Sequence, residues 1–163
     1  MTFSVIGRDA ATGELGIAVS SCILAVGRAV PTVRPGVGVV AVQARSRRGL
    51  GASLLTGLAE GHSPQDLVRH ASHAAEDVDR QIAVLDVAGR VAADTGRGSL
   101  PASGHLLGEG YSVQGNMLAS ADVLPAMSAA YAGAGGGLAD RLLAALTAAG
   151  LLLSAGGADR LSA

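Results

Sequence analysis

A tight turn between two alternating segments at the start of the chain constrains the fold most. Residues 2–8 (TFSVIGR) and 15–21 (LGIAVSS) are rich in β-branched and alternating residues, and residues 9–14 (DAATGE) separate them. Asp9 and Gly13 are turn formers, since aspartate bonds its own backbone and glycine takes positive φ without steric cost. The pattern predicts a β-hairpin, and therefore a sheet with antiparallel strands.

The rest of the chain alternates blocks of strands with pairs of helices. Residues 37–43 (VGVVAVQ) are a nearly continuous apolar run, which is typical of a strand buried on both faces. The later predicted elements are a helix from about residue 48 to 60, a helix capped by Ser63, a hairpin over 81–95, a loop and strand over 104–114, a helix capped by Ser120 or Asp122, and a helix from Leu138 to about Ala149. This order predicts one α+β domain over residues 1–163, with two stacked antiparallel sheets flanked by helix layers.

Composition limits the partners of this protein. Only 15% of residues are charged, against about 25% in typical domains, and all 12 positive charges are arginine. So few charges leave little polar material for the surface, which favours a homo-oligomer that shares apolar faces. A net charge of -1 and only three aromatic residues argue against nucleic-acid binding.

The sequence gives no indication of a cofactor, a metal or a membrane anchor. Cys22 is the only cysteine, and His62, His70 and His73 near one helix are too few ligands for a metal site. The glycine-rich run at 133–137 lacks the Lys-Ser/Thr of a phosphate loop. No apolar run reaches about 18 residues, and the start has no signal-peptide pattern, so we expect a cytoplasmic protein.

Several ordered motifs resemble the DUF1028 family, whose members have an N-terminal-nucleophile (Ntn) hydrolase-like fold. The motifs are MTFSVI with RD at 1–9, TGELGIAV at 12–19, LAVG at 24–27, VQA at 42–44, DRQ at 79–81, DVAGRVA at 86–92, GH at 104–105 and GEGYSVQGNML at 108–118. They extend over nearly the whole chain. The resemblance implies a four-layer α-β-β-α sandwich, although a fold alone does not fix a function.

The chain departs from the family pattern at several positions. Cys22 stands where family members usually have a lysine, and residues 45–48 (RSRR) replace a segment that bears aromatic residues, Asn and Tyr. The later Gly-Gly-Asp-Arg motif and the strand after it are reduced to residues 156–163. We therefore expect the C-terminal strands of the family to be lacking, which would leave an open sheet edge that favours oligomerisation. A clean monomer in light scattering would contradict this expectation.

Thr2 is the candidate nucleophile that the resemblance implies. Removal of Met1 would give Thr2 a free α-amine with a pKa of about 7.7–8.0, which can take the proton of its own hydroxyl. The alternative is that Thr2 is an ordinary strand residue beside the first methionine. Ser21 lies where such a fold orients the amine, and Asp9 is a candidate supporting acid, although it also lies beside a turn.

The candidate substrate-binding residues follow the same resemblance. Backbone N–H groups at Gln43 and Ala44 can stabilise an oxyanion in this fold class, and an ordinary strand-to-helix turn is the alternative. The best polar group consists of His105 with Gln114, Gly115 and Asn116, which offer donors and acceptors for an amide or carboxylate substrate. A loop that satisfies its own backbone would also explain these residues.

Two functions therefore remain open. The first is an amidohydrolase that acts on a small amide with Thr2 as nucleophile. The second is a non-catalytic family member that acts as a small-ligand-binding protein or an oligomeric scaffold. The missing lysine and the short C-terminal region favour the second, whereas the Thr2 start and the segment from Gln114 to Asn116 favour the first.

Overall fold

The computed structural model describes residues 1–45, 47–72, 78–98 and 102–161, with the side chains of 153–161 left aside. Its elements are β1 (Thr2–Arg8), β2 (Leu15–Ser21), α1 (Val26–Ala29), β3 (Pro31–Arg34), β4 (Gly38–Gln43), α2 (Leu50–Ala59), α3 (Pro64–Ser72), β5 (Gln81–Asp86), β6 (Val91–Thr95), β7 (Gly104–Gly108), β8 (Tyr111–Asn116), α4 (Val123–Gly133) and α5 (Leu138–Leu161). The described chain is a mixed α+β protein with two four-stranded antiparallel sheets and five helices.

The two sheets differ in how the chain builds them. The first has the order β2-β1-β8-β7, so the N-terminal strand is central and pairs with the late strand β8. In that register Thr2 lies opposite Ser21 on one side and opposite Asn116 on the other. The second sheet follows the order β3-β4-β5-β6, and Gln43 lies opposite Gln81 where β4 and β5 pair. Residues that are far apart in the sequence, such as Thr2, Gln81 and Asn116, thus lie at the same end of the strands.

Side-chain alternation assigns each strand face to a different environment. In β1, Phe3 and Val5 pack with α4 and α5, whereas Ile6 packs with residues of the second sheet. The outer face of the second sheet, including Val40 and Val84, packs on α2 and α3. The inward-facing apolar residues join the two sheets, and they are Ile6, Val30, Val39, Ala41, Ala83 and Leu85.

Most of the predicted elements are present, with shifted boundaries. The first hairpin and the β5–β6 hairpin form as expected, and the Asp66 N–H donates to Ser63 Oγ at 3.1 Å at the start of α3. The segment over 104–114 belongs to a further hairpin, β7–β8, where the sequence predicted a loop and one strand. The last helix continues to Leu161, well past Ala149, because alanine and leucine there favour helix.

Two short elements were not predicted from the sequence. The helix α1 has only four residues, and β3 is a four-residue edge strand that begins at Pro31. Both are too short to show a period, and proline is tolerated in an edge strand because its missing N–H faces away from the ladder. No helix in the described part of the chain is both long and apolar enough to cross a membrane.

Candidate functional site

The space between the two sheets is apolar at one end and polar at the other. Apolar residues such as Ile6, Val39 and Leu85 fill the first end. At the other end the same inward faces carry polar side chains, which we name the polar layer. Its members are Thr2, Ser4, Gln43, Gln81, Thr95, His105, Ser112, Gln114 and Asn116. So many polar groups within a core require mutual hydrogen bonds, because an unpaired buried polar group is costly.

Gln81 is the centre of the polar layer and is fully buried. Its Nε2 donates to Gly104 O at 2.9 Å and to Gly115 O at 2.7 Å, and lies 3.0 Å from Thr95 Oγ1. Its Oε1 accepts from Gln43 Nε2 and from Asn116 Nδ2, both at 2.9 Å. Gln81, on β5 of the second sheet, therefore bonds to residues of four strands, β4, β6, β7 and β8, and joins the two sheets.

A second chain of hydrogen bonds runs from the first sheet to Gln43. Ser4 Oγ donates to Gln43 Oε1 at 2.8 Å and accepts from Gln114 Nε2 at 2.6 Å. Ser112 Oγ donates to Gln114 Oε1 at 2.7 Å. These bonds fix the amide orientations of Gln43 and Gln114, since each amide has one donor and one acceptor role occupied.

One acceptor in the polar layer is left without a partner. Asn116 is 2% exposed, and its Nδ2 is bound to Gln81, but its Oδ1 has no hydrogen-bond partner in the described structure. Buried carbonyl oxygens of this kind are almost always satisfied by a donor. Asn116 lies opposite Thr2 in the sheet, so the unpaired oxygen belongs to the same end of the strands as the candidate nucleophile.

The Thr2 hydroxyl is buried beneath Met1 and next to Ser21. Thr2 Oγ1 lies 2.9 Å from Ser21 Oγ, which also donates to the Met1 carbonyl at 3.1 Å. The Met1 amine lies 3.9 Å from Cys22 Sγ and 4.0 Å from Met117 Sδ. Because the Met1 carbonyl is bonded to the Thr2 nitrogen, removal of Met1 would place the new α-amine beside Ser21 Oγ and uncover Thr2.

Two members of the polar layer are followed directly by strained backbone. Among the described residues, four other than glycine have positive φ: Ala25 (57°), Ala44 (65°), Ala102 (57°) and Met117 (53°). Ala44 directly follows Gln43, and Met117 directly follows Asn116. Residues with a Cβ pay about 1–2 kcal/mol for this conformation, and such strain concentrates at functional sites. Ala44 and Met117 are exposed, so the chain reaches the surface directly after the buried Gln43 and Asn116.

The amide of Ala44 is available to a ligand. Its N–H has no acceptor among the described residues, and Ala44 itself is exposed. The left-handed turn at Ala44 directs the chain away from β4 immediately after the buried Gln43. A free backbone donor at the rim of a polar cluster is the kind of group that stabilises a developing oxyanion.

His105 occupies the β7 edge of the polar layer. Its Nδ1 lies 2.9 Å from Thr95 Oγ1, which is in turn bonded to Gln81. Burial lowers the pKa of His105 from its ordinary value of 6.5, and the negative charge of Asp94 offsets part of that effect. The imidazole is therefore neutral at pH 7, when it offers one donor and one acceptor.

Acid is expected to weaken the fold through His105. The folded-state pKa is below 6.5, so the unfolded chain binds more protons between those two values, and stability falls as the pH drops below about 6.5. Urea unfolding at pH 7.5 and 5.5 should show a smaller acid-induced loss in His105→Gln than in the wild type. The exposed His62 provides the control, since His62→Gln should keep the wild-type difference. Equal losses in all three proteins would contradict the prediction.

Comparison with known proteins identifies the family. A sequence model described as "Family of unknown function (DUF1028)" matches residues 2–162. This chain belongs to the DUF1028 family. A crystal structure of protein SPO2555 from Silicibacter pomeroyi, also assigned to DUF1028, shares 34% identity with a TM-score of 0.87. The match covers 91% of this chain and 69% of that one. No curated protein matches this chain.

Most of the candidate residues of this DUF1028 protein lie at one place. Thr2, Ser21, Gln43, Gln114 and Asn116 are at the polar end of the sheets. Ala44 and His105 join them at the rim and at the β7 edge. Residues that are distant in sequence thus converge because β1 is central and pairs with β8.

Two candidate residues have other roles than expected. Asp9 lies past the opposite end of β1, and β1 extends about 3.4 Å per residue, so Asp9 is remote from Thr2. It accepts from Ala11 N–H and Thr12 N–H, and the Thr12 and Ala11 bonds lower the pKa of its carboxyl. Gly115 allows close approach of the Leu118 side chain, which lies 2.8 Å from the position of a Cβ, and its carbonyl accepts from Gln81.

Sequence reasoning missed Gln81 as a site residue. The signal was present, because Gln81 is a polar residue directly before the apolar run at 82–85 (IAVL). Of the histidines near α3, His70 has its Nδ1 2.7 Å from Asp66 O within the helix, and His73 lies outside the described residues. No group of three or more metal-binding side chains occurs in the described ranges.

Proposed function

We propose that this DUF1028 protein is an Ntn-type amidohydrolase that cleaves the C–N bond of a small amide, with Thr2 as the nucleophile. The observation that carries the proposal is the position of Thr2 Oγ1. It lies at the polar end of the inter-sheet space, 2.9 Å from Ser21 Oγ and opposite Asn116 in the sheet. Covalent catalysis by threonine needs an adjacent base, which a free α-amine at the same residue would provide.

The proposed reaction begins with removal of Met1. The Thr2 α-amine takes the proton from Oγ1, and Oγ1 forms a bond to the substrate carbonyl carbon. The carbonyl oxygen becomes an oxyanion, toward which the Ala44 N–H is a candidate donor. The C–N bond then breaks, the departing nitrogen takes the proton from the amine, and water hydrolyses the Thr2 ester to release the acid.

The polar layer would position the substrate in this scheme. The unpaired Asn116 Oδ1 has the capacity to accept a hydrogen bond, and the N–H of a substrate amide is a suitable donor. Ser21 Oγ, released from the Met1 carbonyl, would bond the α-amine and hold it toward Thr2 Oγ1. Gln43, Gln81 and Gln114 each donate and accept hydrogen bonds within the polar layer, so we assign them the role of holding this arrangement rigid.

We also infer the finer fold assignment, a four-layer α-β-β-α sandwich of the Ntn type. The packing of α4 and α5 on the first sheet, and of α2 and α3 on the second, supports it. A single Ntn-like domain, a cytoplasmic location and a homo-oligomeric state stay predictions. Exposed apolar side chains on the edge strand β7, Leu106 and Leu107, support the last of these.

A non-catalytic ligand-binding protein is the second candidate. The observation that favours it is Cys22, whose exposed thiol lies 3.9 Å from the N-terminal amine where the family usually has lysine. A lysine ammonium would lower the pKa of the amine by like-charge repulsion, which a neutral thiol does not do. The polar layer with its unpaired Asn116 oxygen would then serve binding alone.

The intact mass of protein made without an N-terminal tag tests whether Met1 is removed, which the proposed reaction requires. We expect loss of one methionine residue, because threonine at position 2 is small enough for methionine removal. A β-lactone probe should then add one equivalent to the N-terminal peptide, and the Thr2→Ala protein should not react. Complete retention of Met1, or labelling that persists in Thr2→Ala, would contradict the proposal.

A further inference from the structure

A cavity of about 670 Å³ lies outside the polar layer, between β3, β4 and the start of α2. Its wall is made by the loop between β2 and α1, by β3 and by the start of α2. Val42, the residue before Gln43, lines it, and so does Leu24, two residues after Cys22. The cavity has the size of sites that hold small molecules, which are commonly about 300–1,000 Å³.

Three arginines line this cavity without a counter-charge. They are Arg28, Arg47 and Arg48, and the part of the lining that the structure describes contains no aspartate or glutamate. Within the described ranges these three guanidinium groups form no ion pair, whereas Arg45 and Arg90 each lie against an aspartate. Three uncompensated positive charges around one concave surface, in a chain of net charge -1, create a strong local preference for an anion.

Backbone donors add to the same surface. The helix α2 starts at Leu50 with Gly49 as N-cap, has no side-chain cap bond and has no acidic residue in its first turn. Gly51 and Ala52 line the cavity, and the first-turn N–H groups of a helix have no intrahelical partner. Glycine at position 51 also lets the Thr32 side chain, another lining residue, occupy the space of a Cβ. The helix dipole there favours negative charge.

We propose that this cavity binds a small multivalent oxyanion, a molecule that carries a phosphate group or at least two carboxylates. Guanidinium groups bind both kinds of oxyanion through paired N–H donors. The limited size of this concave surface favours a small molecule over a nucleic-acid backbone, which would need an extended basic surface and stacking aromatics. The proposal concerns binding alone and does not depend on amide hydrolysis by Thr2.

Titration calorimetry with inorganic phosphate, citrate and acetate at constant ionic strength tests the proposal. We expect saturable 1:1 binding of phosphate or citrate and at least about 10-fold weaker binding of the monovalent acetate. Tighter binding of phosphate would indicate a phosphorylated ligand, and tighter binding of citrate a polycarboxylate; both support an oxyanion site. Absence of saturable binding for phosphate and citrate would overturn the proposal.

Arginine variants test whether the oxyanion binds in this cavity. Arg28→Gln and Arg48→Gln should each weaken binding about 10-fold or more, since hydrogen bonds to charged groups are lost. Arg34→Gln is the matched control, because Arg34 is exposed and lies outside the cavity lining. All three positions are exposed, so we expect the variants to fold, as circular dichroism would show. Equal affinity in the wild type and in both cavity variants would overturn the assignment of the site.

Discussion

Thr2→Ala is expected to lower the rate of amide hydrolysis by roughly three to six orders of magnitude. That range is the usual cost of removing the nucleophile from a covalent mechanism, since binding and the oxyanion donors still supply some rate enhancement. Thr2 Oγ1 lies 2.9 Å from Ser21 Oγ, and after removal of Met1 Thr2 would carry both the hydroxyl and the α-amine that the mechanism needs. The measurement is amine release from a panel of small amides, with kcat and KM determined for each substrate that reacts.

Matched variants separate loss of the nucleophile from loss of structure. Thr2→Ser keeps a hydroxyl and should retain measurable turnover, while Thr12→Ala removes a threonine hydroxyl in the exposed turn at the far end of β1 and should retain the wild-type rate. The intact mass must show that Met1 is absent from every variant that is compared. Wild-type turnover in Thr2→Ala would exclude Thr2 as the nucleophile.

The same variant distinguishes the two candidate functions. An enzyme that has lost its nucleophile still binds its substrate, so KM or the dissociation constant should change little while kcat falls. A ligand-binding protein would show no hydrolysis in either form and equal affinity in both. The difference arises because Thr2 contributes one buried hydroxyl, whereas the unpaired Asn116 oxygen and the Ala44 amide are unaffected by the substitution.

The elements that sequence reasoning predicted are those with a local signal. The first hairpin has alternation on both sides of a turn with glycine at positive φ, and α3 has a serine at its N-cap followed by proline. In these cases neighbours in sequence determine the structure. The segment Gln114 to Asn116, selected on the family resemblance, lies in the polar layer, and its role in substrate binding stays a prediction.

The parts that were missed depend on contacts between distant residues. Gln81 became the centre of the polar layer only because β5 faces β8 across the sheets, a pairing with no local signal. Asp9 has the residue type of a catalytic acid, yet strand direction places it at the wrong end of β1. The left-handed backbone conformation of Ala44 likewise could not be predicted from residue propensities, since alanine disfavours that conformation.

Gln81→Leu is expected to lower the free energy of unfolding by about 3–5 kcal/mol. Leucine has a similar volume but leaves the amide donors of Gln43 and Asn116 and the carbonyls of Gly104 and Gly115 without their partner. Each buried group left unsatisfied costs about 1–3 kcal/mol, and the terms do not add fully because the groups belong to one network. Domains are stable by only about 5–15 kcal/mol, so the loss should be large in a urea titration.

Gln65→Leu is the control for the effect of Gln81→Leu on the free energy of unfolding. Gln65 is exposed on α3, and Gln65→Leu should change stability by less than about 0.5 kcal/mol. If Gln81→Leu costs no more than Gln65→Leu, the polar layer does not stabilise the fold. A large loss with Gln81→Leu would mean that the polar layer joins the sheets at the end where apolar packing stops. The unpaired Asn116 oxygen would then stand in a rigid setting, ready for a donor that the folded chain itself does not provide.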